Sequence, residues 1–168
     1  MGADERRAGR TVAGADAPGA SEGPRRAALW DGALALAALV GVLDAVYLTV
    51  EHLSGRSVRC VVVSGCDEVL SSRYATLPGD VPLAALGALA YFAVFSLATL
   101  SAFGYKRAGA LLAPLVAAMF AGTLWLLYVQ AFVLRAFCTY CLVSAAVTTT
   151  LALILLGRRL SGARRRYS

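Results

Sequence analysis

Four long apolar runs constrain the fold of this chain more than any other feature of its sequence. They cover about residues 28–50, 81–103, 108–133 and 137–156. Each run approaches the roughly 20 residues that an α-helix needs to cross the hydrocarbon core of a bilayer. The runs are continuous and do not alternate with polar residues, which excludes a transmembrane β-barrel. The sequence therefore predicts an all-α integral membrane protein, a four-helix transmembrane bundle.

The composition agrees with a membrane location. Charged residues make up 15% of the chain and hydrophobic residues 59%, whereas charged residues make up about 25% of a typical soluble domain. We expect one transmembrane domain over residues 28–157. Residues 1–27 are polar and lack the apolar core of a signal peptide, so they are predicted to form a disordered cytoplasmic tail.

Basic residues at the ends of the runs predict the orientation of the bundle. They precede the first run, separate the second from the third and follow the fourth: Arg25, Arg26, Lys106, Arg107 and the arginines of residues 158–168. By the positive-inside rule these ends face the cytoplasm, and so do both termini. Residues 51–80 then form an extracytoplasmic loop, with a short helix around residues 67–74 as an interfacial lid. The flank at Arg135 is the one that departs from this orientation.

The net charge of +6 is concentrated at the carboxyl end of the chain. A basic segment directly after an apolar run is typical of a topology signal or of contact with anionic lipid. We therefore expect residues 158–168 to form a basic cytoplasmic tail whose partner is membrane lipid, and not nucleic acid.

The four cysteines of the chain form two pairs on or near the predicted outer face. Cys60 and Cys66 lie in the loop, and Cys138 and Cys141 form a C-x-x-C at the start of the fourth run. The outer face is the oxidising side of such a membrane. On a helix that runs inward from that face, Cys141 lies about 4.5 Å deeper than Cys138, on roughly the same side. One thiol of the pair can thus face a loop while the other faces a lipid-soluble molecule.

Three interpretations of these cysteines stay open on spacing alone. In the first, both pairs are redox-active and exchange electrons by thiolate attack. In the second, they are structural disulfides, although a bridge between Cys138 and Cys141 closes too small a loop to add much stability. In the third, four thiolates bind zinc. The spacing is poor for a zinc ribbon and the compartment disfavours free thiols, so no metal is expected.

Several short segments, in a fixed order, carry a family resemblance. They are Asp44-Ala-Val-Tyr47-Leu48-Thr49, then Cys60, then Gly65-Cys66-Asp67 through Ser71-Ser72-Arg73-Tyr74-Ala75, then Gly79-Asp80-Val81-Pro82-Leu83-Ala84 with Gly87 and Tyr91, and finally Cys138-Thr139-Tyr140-Cys141 with Ser144 and Ala145. Together they resemble the vitamin K epoxide reductase family, and more closely its bacterial branch, over about residues 31–157.

The resemblance implies a function and a role for each cysteine. Cys141 is the thiol that meets a quinone of the menaquinone (vitamin K) type or ubiquinone, and Cys138 exchanges with the loop pair. Cys60 and Cys66 take electrons from a thioredoxin-fold partner. The implied enzyme is a membrane thiol–quinone oxidoreductase of the bacterial inner membrane that supports disulfide formation in exported proteins. Many bacterial members carry a fused thioredoxin-like domain, whereas this chain ends at Ser168, so a separate thioredoxin-fold thiol oxidase is expected.

The resemblance also suggests residues around the quinone. Ser72 matches a family serine that hydrogen-bonds the quinone or shapes its site, although it could instead be an ordinary N-cap or turn serine. Asp44 could handle protons, or it could be solvated at the interface. The expected lining of an apolar pocket is Leu83, Leu86, Tyr91, Phe137 and Ala145, each of which could instead serve helix packing or lipid contact.

Two alternatives to quinone reduction remain at this point. The same thiols could reduce vitamin K epoxide, which the sequence does not separate from quinone reduction. The chain could also be a non-enzymatic membrane scaffold or transport subunit with structural disulfides. A transporter would more often show internal repeats or broken helices with polar residues at mid-membrane, and the second to fourth runs have few.

Overall fold

The computed structural model describes residues 22–55, 65–77 and 81–167. Helix α1 is followed by a short helix, a two-stranded hairpin and three further helices. Their bounds are α1 Glu22–Leu53, α2 Cys66–Leu70, β1 Thr76–Leu77, β2 Val81–Pro82, α3 Leu83–Ala102, α4 Lys106–Tyr128, a π-helical segment Val129–Leu134 and α5 Thr139–Tyr167.

The four long helices of the described residues are long and apolar enough to cross a membrane. Their candidate spans are Ala28–Leu53, Leu83–Ala102, Lys106–Leu134 and Thr139–Ser161. Each contains one of the apolar runs of the sequence, or nearly all of it, because a continuous run of this length satisfies its backbone hydrogen bonds in a bilayer only as a helix. The predicted all-α, four-helix membrane bundle is confirmed.

The helices form a closed ring around one apolar core. Helix α1 packs against α3 and α5, and α4 packs against the same two helices from the other side. The core includes the fully buried side chains of Leu34, Val94, Leu112 and Leu151, together with Tyr91. Many large apolar side chains on the outer faces are exposed, as is expected of surfaces that meet lipid.

Helices α1 and α5 extend beyond the predicted boundaries of the transmembrane domain. Helix α1 begins at Glu22, so residues 22–27, which were assigned to the disordered tail, are helical. Proline is tolerated in the first helical turn, where Pro24 lies, and alanine and arginine favour helix. Residues 1–21 lie outside the described residues. Helix α5 continues to Tyr167, through most of the predicted basic tail.

The second span begins two positions later than the sequence predicted. Val81 and Pro82 are extended and pair antiparallel with Thr76–Leu77, and α3 begins at Leu83. Pro82, with φ −64° and ψ 134°, is the N-cap, and a proline disfavours helix at the residue before it. Strands of two residues are too short to give an alternating pattern, so the hairpin was not predicted.

The helix in the loop is shorter than predicted. It covers Cys66–Leu70 and not residues 67–74. The chain turns at its end, where Ser72 Oγ donates to the Val69 carbonyl oxygen at 2.7 Å. A serine side chain that bonds a nearby carbonyl competes with the backbone and favours the end of a helix.

A π-helical segment follows α4 and ends at a left-handed residue. It covers Val129–Leu134, and Arg135 then has φ 52° and ψ 29°. The Ala136 amide donates to the Gln130 carbonyl oxygen at 3.2 Å. Such segments are rare and are often found at functional sites. Because α5 begins only at Thr139, Phe137 and Cys138 precede the helix on which the predicted run had placed them.

A polar cluster joins three helices at the end of the bundle away from the cysteines. Arg158 on α5 donates to Asp31 on α1, and Ser101 on α3 donates to the same carboxylate at 3.1 Å. Asp31 is only 2% exposed, so its charge needs these partners. Arg158 was predicted to lie in a tail, but its side chain belongs to the bundle.

Candidate functional site

The described cysteines are in two redox states. Cys66 is disulfide-bonded, whereas Cys138 and Cys141 are free thiols. Cys60 lies outside the described residues. Cys66, at the first position of α2, is 2% exposed, and Cys138 has no exposed surface. The loop cysteine and the first cysteine of the C-x-x-C therefore both lie inside the protein.

Gly65 brings the loop against the C-x-x-C. A Cβ atom at Gly65 would lie 2.8 Å from the Phe137 carbonyl oxygen and 2.9 Å from the Phe137 nitrogen. Only glycine allows backbone to approach backbone this closely. Since Gly65 precedes Cys66 and Phe137 precedes Cys138, both cysteines lie in one buried cluster, with Leu48, Val69 and Ala136.

Cys138 occupies the cap position of α5. Its carbonyl oxygen accepts from the Leu142 amide at 3.0 Å, and its own amide donates to Gln130 Oε1 at 3.1 Å. This confirms that the C-x-x-C lies at a helix N-terminus, where free amides and the helix dipole favour a thiolate.

The surroundings of Cys138 favour its ionised form. Cys138 lies just before the fourth span, and a hydrogen bond with the Cys141 thiol is the main cause that lowers its pKa from 9.0 to about 7. Backbone hydrogen bonds with Cys141 and Tyr140 also lower this pKa, whereas burial and the charge of Asp44 raise it. A thiolate therefore forms more readily at Cys138 than at an ordinary cysteine.

A cavity of about 430 Å³ opens beside the second cysteine. Residues of all five helices line it, and its volume lies within the roughly 300–1,000 Å³ of small-molecule sites. Cys141 lines the cavity, whereas Cys138 and Cys66 do not. The structure thus places one thiol of the C-x-x-C against the cavity and the other against the loop cluster.

Most of the predicted pocket residues lie around this cavity. The ones that line it are Asp44, Ser72, Leu83, Leu86, Tyr91, Cys141 and Ala145. Phe137 does not line it: its side chain is 42% exposed because it lies in the link before α5 and points outward. The binding roles of the lining residues stay predictions.

The hydroxyl protons of two polar candidates, Ser72 and Tyr91, are already in hydrogen bonds within the protein. Ser72 Oγ donates to the Val69 carbonyl oxygen. Tyr91 Oη donates to the Ser144 carbonyl oxygen at 2.9 Å and lies 2.7 Å from Thr148 Oγ1. In this arrangement both hydroxyl groups shape the cavity wall, and any ligand meets them as acceptors.

Asp44 carries an unpartnered buried atom. Its Oδ2 is buried, and no hydrogen-bond partner for it lies among the described residues. A buried carboxylate oxygen without a partner is costly, and Asp44 lines the cavity. Its carboxyl group is therefore placed to exchange a hydrogen bond or a proton with whatever the cavity binds.

Several polar residues of the cavity wall were not predicted, among them His52, Gln130, Thr123 and Thr148. His52, at the end of α1, was not expected in the site, and Gln130 was counted as part of an apolar run; both line the cavity. The signal that could have found Gln130 is the amide itself, because a polar residue within a membrane span is by default a functional candidate.

A comparison with protein families agrees with this geometry. The model of the "Vitamin K epoxide reductase family" matches residues 33–156. The matched region includes all four cysteines, α2, the π-helical segment and most of the four spans. It covers well over half of the chain.

Proposed function

Because the chain belongs to the vitamin K epoxide reductase family, a family of membrane oxidoreductases, we propose that it transfers electrons from protein thiols to a quinone. The observation that carries the proposal is that the two thiols of the C-x-x-C have different surroundings. Cys141 lines a mostly apolar cavity, while Cys138 lies in the buried cluster that contains Cys66. A two-sided thiol pair of this kind can connect a lipid-soluble acceptor to a loop disulfide.

In the proposed first half of the cycle, electrons enter through the loop. A partner dithiol reduces the loop disulfide of Cys60 and Cys66 and leaves as a disulfide. The Cys66 thiolate attacks Cys138 Sγ of an oxidised Cys138–Cys141 pair, and the Cys141 thiolate is released. Cys60 then attacks Cys66 Sγ, which restores the loop disulfide and frees Cys138. The contact of Gly65 with Phe137 supports the attack of Cys66 on Cys138, because it brings the two cysteines into one cluster.

In the second half, electrons leave through the cavity. Cys138 and Cys141 together give up two electrons and two protons and become one disulfide, while the quinone becomes a hydroquinone. Cys141 is the thiol that lines the cavity. In the proposed step the Cys141 sulfur first adds to the quinone. The Cys138 thiolate, which its lowered pKa favours, then attacks Cys141 Sγ, and the bond between Cys141 and the quinone breaks to release the hydroquinone. Asp44, with its unpartnered Oδ2 in the cavity wall, is the proposed proton carrier.

The proposed setting is a bacterial inner membrane with both termini in the cytoplasm and the cysteines at the outer face. The ion pair of Asp31 with Arg158 and the basic turn at Lys106 and Arg107 lie at the end of the bundle opposite to the cysteines. This distribution supports the orientation by the positive-inside rule. The proposed partner is a separate thioredoxin-fold thiol oxidase, which exported proteins would reduce.

Quinone reduction by the purified full-length protein in detergent tests the proposal. Wild type, Cys141→Ala and Cys60→Ala are compared with a small dithiol and with a reduced thioredoxin-fold protein as donors. We expect Cys141→Ala to be inactive with both donors. We expect Cys60→Ala to lose activity only with the protein donor, because a small dithiol can attack the oxidised pair at the partly exposed Cys141 and so bypass the loop.

Two outcomes would decide against the proposal. If both variants reduce quinone as fast as wild type, the cysteines are structural and the protein is not a thiol–quinone oxidoreductase. If wild type reduces vitamin K epoxide but neither menaquinone nor ubiquinone, the same thiols serve epoxide reduction and the proposed acceptor is wrong.

A further inference from the structure

Gln130 is held in one orientation by the redox pair. Its side chain is 3% exposed, and its Oε1 accepts from the Cys138 amide at 3.1 Å. An amide NH₂ group has no lone pair to accept such a bond, so the carbonyl oxygen must face Cys138. The Nε2 group is therefore fixed on the side of the amide that faces away from the Cys138 nitrogen.

Gln130, in the π-helical segment, reaches both Cys138 and the cavity. Its backbone carbonyl accepts from Ala136 and its side chain from Cys138, so one residue holds both ends of the link that leads into α5. Gln130 also lines the cavity. Among the described residues, no acceptor is hydrogen-bonded to Nε2. Nε2 is not among the completely buried atoms that lack a partner, so it faces the cavity that Gln130 lines and is available to a ligand.

The predicted polar contacts of the quinone do not supply a donor at this point. The hydroxyl protons of Ser72 and Tyr91 are bonded to backbone carbonyls, and the lining positions Leu83, Leu86 and Ala145 are apolar. Gln130 is the cavity-lining side chain that is hydrogen-bonded to the backbone of the C-x-x-C.

We propose that Gln130 Nε2 donates a hydrogen bond to a carbonyl oxygen of the quinone and thereby fixes the quinone ring relative to Cys141. The inference rests on the proposed function, since it assigns a residue to the same cavity. Gln130 thus has two roles that depend on one orientation: Oε1 positions Cys138 and Nε2 positions the acceptor. The bond also draws electron density from the quinone ring, which favours its reduction.

The test is isotope-edited infrared spectroscopy of 2-methyl-1,4-naphthoquinone with ¹³C-labelled carbonyl groups, bound to the oxidised full-length protein in detergent. A hydrogen bond lowers the C=O stretching frequency below its value in empty micelles. We expect this lowering in wild type and its loss in Gln130→Met, together with a rise of about tenfold in the KM for the quinone, as the loss of one hydrogen bond produces. A role in helix packing alone would not move the band.

Two further variants keep the test decisive. Gln130→Glu retains an acceptor for the Cys138 amide, so it serves if Gln130→Met does not fold. When ionised it also lacks the donor, and we expect the band shift to disappear at alkaline pH. Thr150→Val is the control, because Thr150 is exposed on α5 and bonds only its own helix, at Ala146. It should keep the wild-type band.

The results separate the two proposals. If wild type neither binds nor reduces quinone, the proposed function fails and the role of Gln130 fails with it. If wild type reduces quinone with a lowered C=O band that persists in both Gln130 variants, another donor, such as Thr123, holds the carbonyl. In that case the function stands and the inference is overturned.

Discussion

Gly65 and Phe137 are in contact through their backbones, with no room for a side chain between them: a Cβ atom on Gly65 would lie 2.8 Å from the Phe137 carbonyl oxygen. The nearest atoms, the Phe137 carbonyl oxygen and nitrogen, belong to the backbone. They cannot move aside as easily as the end of a flexible side chain could. This contact sets the distance between the loop that carries Cys66 and the link that carries Cys138.

The first prediction concerns this contact. Gly65→Ala should push the loop away from Phe137 and slow exchange between Cys66 and Cys138. A displacement of about 1 Å can cost a factor of about 100 in rate, so we expect a loss of that order with a protein dithiol donor. Activity with a small dithiol should stay near wild type.

Gly32→Ala is the matched control, because a Cβ atom at Gly32 meets nothing within 4 Å. It should behave like wild type with both donors. Equal rates of wild type and Gly65→Ala with the protein donor would show that the contact does not govern the exchange.

The second prediction concerns the ionisation of Cys138. The hydrogen bond with Cys141 is the main cause of its lowered pKa, which is about 7. Cys141→Ala removes that bond and should raise the pKa of Cys138 toward 9, whereas Cys141→Ser keeps a hydroxyl in its place and should raise it less. The thiolate absorbance near 240 nm, followed from pH 5 to 10 with the loop disulfide intact, measures both.

The same ionisation gives a pH dependence. Below pH 7 the Cys138 thiol is mostly protonated, so the rate of its attack should fall about tenfold for each further unit of acidification. Above about pH 8 the rate should level off, because the thiolate is already formed. The measurement is the rate at which quinone converts the reduced C-x-x-C to a disulfide. If this rate does not change between pH 5.5 and 7, Cys138 is not the attacking thiolate.

The third prediction separates two effects of Asp44. Asp44→Asn removes a carboxyl group whose Oδ2 has no described partner, and quinone reduction should slow by about 100-fold, as the loss of a general acid does. The charge of Asp44 raises the pKa of Cys138, so the substitution should lower that pKa slightly and increase the thiolate fraction. Slower quinone reduction with more thiolate would identify proton delivery as the defect.

An Asp44→Asn variant that reduces quinone at the wild-type rate would show that protons reach the cavity by another route. Thr150→Val serves again as the control, because its side chain is on the outer face of α5.

The fourth prediction concerns the core behind the cavity. A Cβ atom at Gly41 would lie 2.5 Å from the ring of Tyr91, so Gly41→Ala must displace a fully packed tyrosine from its bonds to Ser144 and Thr148. Overpacking of this kind costs about 1–3 kcal/mol. We expect a lower Tm in detergent and weaker quinone binding, with Gly32→Ala as the control. An unchanged Tm would show that the ring moves freely.

The parts of the fold that depend on long patterns could be predicted from the sequence. An apolar run of about 20 residues has one stable form in a bilayer, and the C-x-x-C lies at the start of one such run. The cavity lining at Leu83, Leu86 and Ala145 was also expected, although only from the family resemblance. Their binding roles remain predictions.

The parts that depend on one or two residues could not be predicted. No pattern in an apolar run marks the π-helical segment in which Gln130 lies. Phe137 was expected in the pocket because the run was taken to begin there, but the helix begins two residues later. Arg158 was assigned to a tail because its partner, Asp31, lies at the far end of the sequence.

The complete burial of Cys138 has a consequence for the durability of the protein. A thiolate in contact with water is open to peroxide, and oxidation to sulfinic acid is irreversible for most proteins. A thiolate with no exposed surface is shielded from peroxide and from soluble disulfides alike. The groups packed around Cys138 thus protect the more easily ionised thiol of the C-x-x-C from chemical damage.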